Sequence, residues 1–248
     1  MSDRAGGLAG QVRLLFDAKA ATWPQKYAPD GRLAGRLTRF AAAVGYHITA
    51  GGHVLDLGCG TGELARHMGA ARLRVTGCDI SAEMLARAAA GDPDGAVEWI
   101  ELNPSWRSLP FGSATFDAVV AASVLEYVEE PVTVLRECAR VLRTGGIVLL
   151  TVPDLNHPVR WLEWLAGRAA RVRLVRAAGR RCARLDGYLT YLRISRQRRS
   201  ARWWRSAAAQ AGLRTVPQPK GVVEHSPLRL FVFQRPDGRQ RADRMGEN

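Results

Sequence analysis

The chain has 248 residues, 47% of them hydrophobic and 24% charged, which suits one globular domain, or one with a sizeable insertion, and excludes a mainly disordered chain. A membrane-spanning class is excluded too, because uncharged runs such as Thr144–Pro153 fall short of the ~18 apolar residues a spanning helix needs. The net charge of +13 is lopsided: residues 1–150 hold 15 Lys and Arg against 16 Asp and Glu, and residues 151–248 hold 21 against 7.

The opening stretch, Met-Ser-Asp-Arg-Ala-Gly-Gly, has no apolar core, so no secretory signal is expected. Residues 32–48 read as a helix, and His53–Leu57 as a short strand that runs into Gly58-Cys59-Gly60-Thr61-Gly62. Glu63–Ala70 reads as helix and Arg72–Asp79 as strand. Ser81 is placed to N-cap a helix over 82–90. After a turn at Gly91–Gly95 come a strand with period-two alternation, Ala96–Leu102, and a buried-type strand, Thr115–Ala121. Pro131 starts a helix to about Arg143, Thr144-Gly145-Gly146 ends it, and Ile147–Val152 is another buried strand. Residues 155–212 are helical by composition and break the alternation. Leu213–Val216 and Leu228–Phe233 look like two last strands, and 236–248 like a frayed tail. Strands alternating with helices imply right-handed crossovers and a parallel sheet.

Four cysteines (Cys59, Cys78, Cys138 and Cys182) show no C-x-x-C spacing. A reducing cytoplasm, with no disulfide framework and no metal cluster, is therefore expected.

The glycine turn carries most of the functional information. A strand, a turn with three glycines and a helix start let the backbone approach a ligand closely and present free N–H groups to it. Asp79 ends the next strand, where an acidic side chain accepts ribose hydroxyls in dinucleotide folds. The G-x-G-x-G spacing differs from G-x-G-x-x-G and argues against a nicotinamide cofactor. Asp56 is expected to brace the loop through backbone N–H groups rather than to act in catalysis. Gly62 reads either as part of the ligand turn or as a helix-packing glycine.

Four segments, in order, resemble the class I S-adenosylmethionine-dependent methyltransferases, of the group that includes ubiquinone-pathway and antibiotic-sugar enzymes. They are VLDLGCGTGELA at 54–65, VTGCDIS at 75–81, LPFGSATFDAVVAASVLEYVEEP at 109–131 and ECARVLRTGGIVLLTVP at 137–153. The resemblance covers roughly residues 50–153. It implies a Rossmann-like doubly wound α/β fold, a seven-stranded sheet in the order 3-2-1-4-5-7-6 with the last strand antiparallel, and S-adenosyl-L-methionine as cofactor. Residues 1–153 would form the cofactor-binding core with an N-terminal helical lid, 154–212 an Arg/Trp-rich cap, 213–235 the closing hairpin and 236–248 a flexible tail.

By the same resemblance, Gly58, Cys59 and Gly60 lie along the methionine part of the cofactor and Asp79 holds the ribose. Ile80 and Met84 flank the adenine, and Ala122 closes over the methionine moiety. One position departs from the family pattern. Where Gly-Asp-Ala usually precedes Leu-Pro, this chain has Pro104-Ser105-Trp106, so Ser105 replaces a carboxylate as acceptor for the adenine amino group. Trp106 either covers the adenine face or packs the loop.

Candidate bases belong at the carboxyl ends of the strands. His157 follows the fifth strand, and Tyr127 stands where many relatives have a histidine after the fourth. His157 is a candidate base or a residue that orders its turn; Tyr127 is more wall than base. Tyr188, Tyr191 and His225 are candidate acceptor-pocket residues. Trp23 and Tyr27 are expected either in a lid over the cofactor or on a packed surface helix.

The stretch Arg160–Arg205 holds 14 Arg against Glu163 and Asp186. Guanidinium groups suit phosphate and carboxylate, so an anionic or lipid-linked small-molecule acceptor is expected: a glycosyl, polyketide, quinone or glycolipid intermediate. Trp161, Leu165, Val172 and Val175 share a helical face, so the 160–205 segment either touches the inner membrane face peripherally or packs as a cap helix. Two other classes stay open: a nucleic-acid methyltransferase, disfavoured because Ala122-Ser123-Val124 replaces the motif used for base amines, and a non-catalytic protein on the same fold. Oligomeric state is not read from the sequence.

Overall fold

The computed structural model describes residues 7–31, 33–155, 157, 162, 183–217 and 227–237. Helix α1 (Leu8–Asp17), two 3-10 segments (Ala20–Thr22 and Pro24–Tyr27) and α2 (Ala34–His47) precede β1 (His53–Leu57). Then come α3 (Glu63–Ala70), β2 (Arg74–Asp79), α4 (Ala82–Ala90) and β3 (Val97–Glu101), followed by β4 (Phe116–Ala122), α5 (Pro131–Val141) and β5 (Leu142–Pro153). The described chain continues with α6 (Ala183–Ile194), α7 (Ala201–Gln210), β6 (Arg214–Thr215) and β7 (Leu228–Gln234).

The sheet order is β3-β2-β1-β4-β5-β7-β6, with β7 antiparallel to both neighbours and the other pairs parallel. Alternation along the strands builds two cores. Val54, Ala118, Val120, Ile147, Leu149 and Val232 face α2 and α3, where Phe40, Val44, Leu64 and Met68 meet them. Leu55, Val119, Ala121, Val148, Leu150 and Phe233 face the opposite side, with Leu135 and Cys138 of α5 and Trp204 of α7. A strand buried on both faces reads as an unbroken apolar run, as β4 and β5 do.

Chain direction across the sheet reverses beside β1, whose neighbours are β2 and β4. Such a switch point leaves a crevice beyond the carboxyl ends of the strands, where ligands bind in open α/β sheets.

Two boundaries differ from the sequence reading. Helix α5 stops at Val141, and the strand pairing begins at Leu142, opposite Phe116. The pairing shifts register before Ala118 meets Ile147, so Thr144-Gly145-Gly146 lies inside an irregular strand start rather than at the end of the helix. Helix α7 is not part of a cap: Trp204, Ala207 and Ala208 are buried in the main core against α5. The Arg202 and Arg205 side chains between them stay exposed, so α7 is an ordinary amphipathic core helix despite its charge. The face formed by Trp161, Leu165, Val172 and Val175 lies outside the described residues, as does His225.

Candidate functional site

Glycine φ angles of 70°, 57° and 82° at Gly58, Gly60 and Gly62 explain why this turn is glycine-rich, since side-chain-bearing residues avoid that region. The turn is tied to the end of β2: the Gly58 and Cys59 N–H groups donate to the Cys78 carbonyl at 2.7 and 3.0 Å. A Cβ on Gly58 would overlap the Val124 side chain beyond β4. A Cβ on Gly62 would meet Trp99, Arg66 and Ala88, so Gly62 serves the packing of α3 rather than the ligand turn.

Asp79 ends β2 and is half-buried. Its Oδ2 accepts from the Gly60 N–H at 2.9 Å and its Oδ1 from the Ser81 N–H at 3.0 Å. Each oxygen keeps a second lone pair, so the carboxylate can still accept two hydroxyl hydrogens. Burial pushes its pKa up, against the pull of the backbone N–H groups of Ser81, Gly60 and Ile80. Ser81 caps α4 by accepting from the Met84 N–H at 3.1 Å, and its hydroxyl donates to Asp17 of α1 at 2.5 Å.

Asp56 does not brace the loop in the expected way: its Oδ2 is buried without a hydrogen-bond partner. Burial first, and then the Asp79 charge, push its pKa up to about 7, with Arg36 opposing. An unsatisfied buried carboxylate is costly and marks a place for a cationic group. The Cys59 thiol in the same turn is pushed well up by burial and by the Asp56 and Asp79 charges, which keeps it protonated and inert.

These groups floor a cavity of about 1310 Å³. A pocket for one small ligand usually holds about 300–1,000 Å³, so this one has room for a cofactor and a second molecule. Gly58, Cys59, Gly60, Asp79, Ile80 and Met84 all line it, as do Ser105, Trp106, Ala122 and Tyr127. Ser105 donates its hydroxyl to Asn103 Oδ1 at 2.7 Å, which leaves its own oxygen free to accept. Trp106 is half-buried against the core.

His157 lies apart. It does not line the cavity; its N–H closes a turn on the Asp154 carbonyl at 3.0 Å. Of the two candidate bases, only Tyr127 reaches the site, and Tyr188 and Tyr191 join it there. The N-terminal segment borders the cavity: Phe16, Trp23 and Tyr27 line it, and Phe16 meets Trp23 and Tyr127 edge-on, each at 5.3 Å between ring centroids. The Tyr27 hydroxyl pairs with Arg36.

Sequence reasoning missed Arg36, Asn103, Ser123, Glu126 and Thr151. The signal for Asn103, Ser123 and Thr151 was their place at or beyond the carboxyl ends of β3, β4 and β5. Arg36, on α2, donates to Ser123 Oγ at 3.0 Å and gave no local signal.

Residues 55–150 match the family described as a methyltransferase domain. Over 117 residues the chain is 43% identical to a phosphatidylethanolamine N-methyltransferase of Cereibacter sphaeroides, covering 46% of this chain and 55% of that protein. Over 178 residues it is 33% identical to a ubiquinone biosynthesis O-methyltransferase of Sodalis glossinidius, covering 64% of this chain and 65% of that protein. It therefore spans less than two thirds of the length of either relative. A solved Haemonchus contortus phosphoethanolamine N-methyltransferase 2, in complex with phosphomonomethylethanolamine and S-adenosylhomocysteine, has the same fold. It superposes with a TM-score of 0.60 at 17% identity, over 84% of this chain and 44% of that one.

Proposed function

Because this chain carries a class I S-adenosylmethionine-dependent methyltransferase domain, we propose that it moves a methyl group from S-adenosyl-L-methionine to a small acceptor that is anionic or lipid-linked. The observation that carries this reading is one cavity of about 1310 Å³ shared by the Gly58–Gly60 turn, Asp79 and a wall of aromatic and basic side chains. The residues present fit the cofactor. Asp79 has lone pairs for a ribose, the unpartnered Asp56 suits an ammonium group, and Ser105 can accept from an amino group.

Once bound, the cofactor supplies a methyl group on a positively charged sulfur. The residues of the chain position the reactants. The glycine turn and Asp79 hold one, and the wall of Phe16, Tyr127, Tyr188 and Tyr191 holds the other. Such positioning supplies up to ~7–11 kcal/mol of a barrier. A hydroxyl acceptor must also lose a proton; of His157 and Tyr127, Tyr127 is the one that lines the cavity.

Two features support the acceptor class. Arg13, Lys19, Arg39 and Arg107 line the cavity, and guanidinium groups suit phosphate or carboxylate. Leu14 and Tyr188 also line it, yet are 57% and 42% exposed, as an apolar rim would be. Arg193, Arg196 and Arg199 follow Tyr188 in the chain and are exposed. This fits a lipid-linked acceptor met at an anionic surface. No described helix is long and apolar enough to cross a membrane.

The test is incubation of the protein with methyl-tritiated S-adenosylmethionine and, separately, a lipid extract, an aqueous metabolite extract and bulk RNA. Label should enter the organic phase of the lipid sample or the anionic fraction of the aqueous one. Label in RNA alone would support a nucleic-acid methyltransferase, and label in none of the three would overturn the enzyme reading.

A further inference from the structure

We propose that Ser195 and Gln197 are positioning residues for the acceptor. They clamp the loop after β4, and with it Tyr127, into the cavity wall. The proposal deepens the reading above by naming what shapes the acceptor side, and it rests on that reading for the word acceptor.

The loop of residues 123–130 supplies much of the wall opposite the glycine turn, including Ser123, Val124, Glu126, Tyr127 and Val128. A segment this close to the cavity, with few regular backbone bonds of its own, must be fixed by something else.

At its start, Ser123 adopts a left-handed φ of 63°, which only surrounding contacts can maintain in a non-glycine residue. Its N–H donates to Thr151 Oγ1 at 3.1 Å, and its hydroxyl accepts from Arg36 at 3.0 Å. The far end is held by the segment that leaves α6. Ser195 Oγ donates to Glu126 Oε2 at 2.7 Å, and the Gln197 N–H donates to the Glu126 carbonyl at 3.2 Å. The Gln197 side-chain amide donates to the Val128 and Glu129 carbonyls at 3.0 and 3.1 Å.

All three polar side chains are buried: Ser195 is 2%, Gln197 6% and Glu126 3% exposed. Removing the Ser195 hydroxyl takes one donor from the buried Glu126 carboxylate, and removing the Gln197 amide takes a donor from the Val128 and Glu129 carbonyls, which is costlier than losing a solvated bond.

The clamp also touches the N-terminal segment. Ile194, directly before Ser195, is fully buried against Leu8 and Val12 of α1, in the cluster that takes in Phe16 and Tyr127. The stretch 194–197 is thus the junction of α1, α6 and the acceptor-side loop. The cofactor side has hydrogen bonds of its own: those of Gly58, Gly60 and Asp79 run to Cys78, to each other and to Ser81.

The experiment compares the wild type with Ser195→Ala, Gln197→Ala and Ser195→Thr, which keeps the hydroxyl. Amide exchange is followed over residues 124–130, and S-adenosylhomocysteine is titrated into each protein. Ser195→Ala and Gln197→Ala should speed exchange in that loop about tenfold or more while the S-adenosylhomocysteine Kd changes less than threefold. Ser195→Thr should restore protection. With the acceptor from the labelling experiment, KM should rise about tenfold with kcat within threefold.

Unchanged loop exchange would overturn the proposal. So would a parallel loss of cofactor affinity, which would make the pair a general support of the fold. Failure of the labelling experiment to find any acceptor would count against the enzyme reading and leave the exchange result to judge the clamp.

Discussion

Asp79→Ala weakens S-adenosylhomocysteine binding by at least a hundredfold in a calorimetric titration. Two effects add. The carboxylate offers two remaining acceptor positions to a ribose, and a hydrogen bond to a charged group contributes about 1.5–3 kcal/mol; two such bonds correspond to about 10²–10⁴-fold. The same carboxylate also accepts the Gly60 and Ser81 N–H groups at 2.9 and 3.0 Å, so its removal loosens the turn and the start of α4. A loss of less than threefold would mean the ligand does not sit on the end of β2.

Asp56→Asn has the opposite effect on the empty protein: it stabilises it at pH 8 and not at pH 4. The group is raised from 3.8 to about 7 in the folded chain. Well below pH 3.8 it is protonated both folded and unfolded. As the pH rises from about 4 to about 7, only the unfolded chain ionises, so this group's contribution to stability is lost through that window. About three pKa units correspond to about 4 kcal/mol, and for a chain of this size that is on the order of 10 °C in Tm. Melting curves of both proteins without cofactor, at pH 4, 6 and 8, should diverge steadily. The variant should also lose cofactor affinity at pH 8, because an amide cannot pair with an ammonium group as a carboxylate does. Parallel curves at all three pH values would show that Asp56 is solvated or paired in the folded chain.

The sheet was legible because its signals are local. β1, α3 and α4 fall where periodicity and the Ser81 cap put them, and the glycine turn announces its positive φ angles. That Asp79, Ile80, Met84 and Ala122 line the cavity follows from equally local signals, as each sits at or just beyond a strand end or on the first turn of a helix. What failed was long-range. Nothing near His157 in sequence reveals that its side chain does not line the cavity. Arg36 reaches the end of β4 across 87 residues, and Ser195 reaches Glu126 across 69; neither has a periodicity to betray it. Helix α7 misled for a different reason. Its arginines dominated the composition, while burial is decided by Trp204, Ala207 and Ala208 on the other face.

Whether one cavity holds the cofactor on the Gly58–Asp79 side is decided by titrating S-adenosylmethionine and S-adenosylhomocysteine into the wild-type protein at pH 8 and following the heat. One site per chain with micromolar affinity for both is expected. No heat, together with no thermal shift at millimolar ligand, would contradict it.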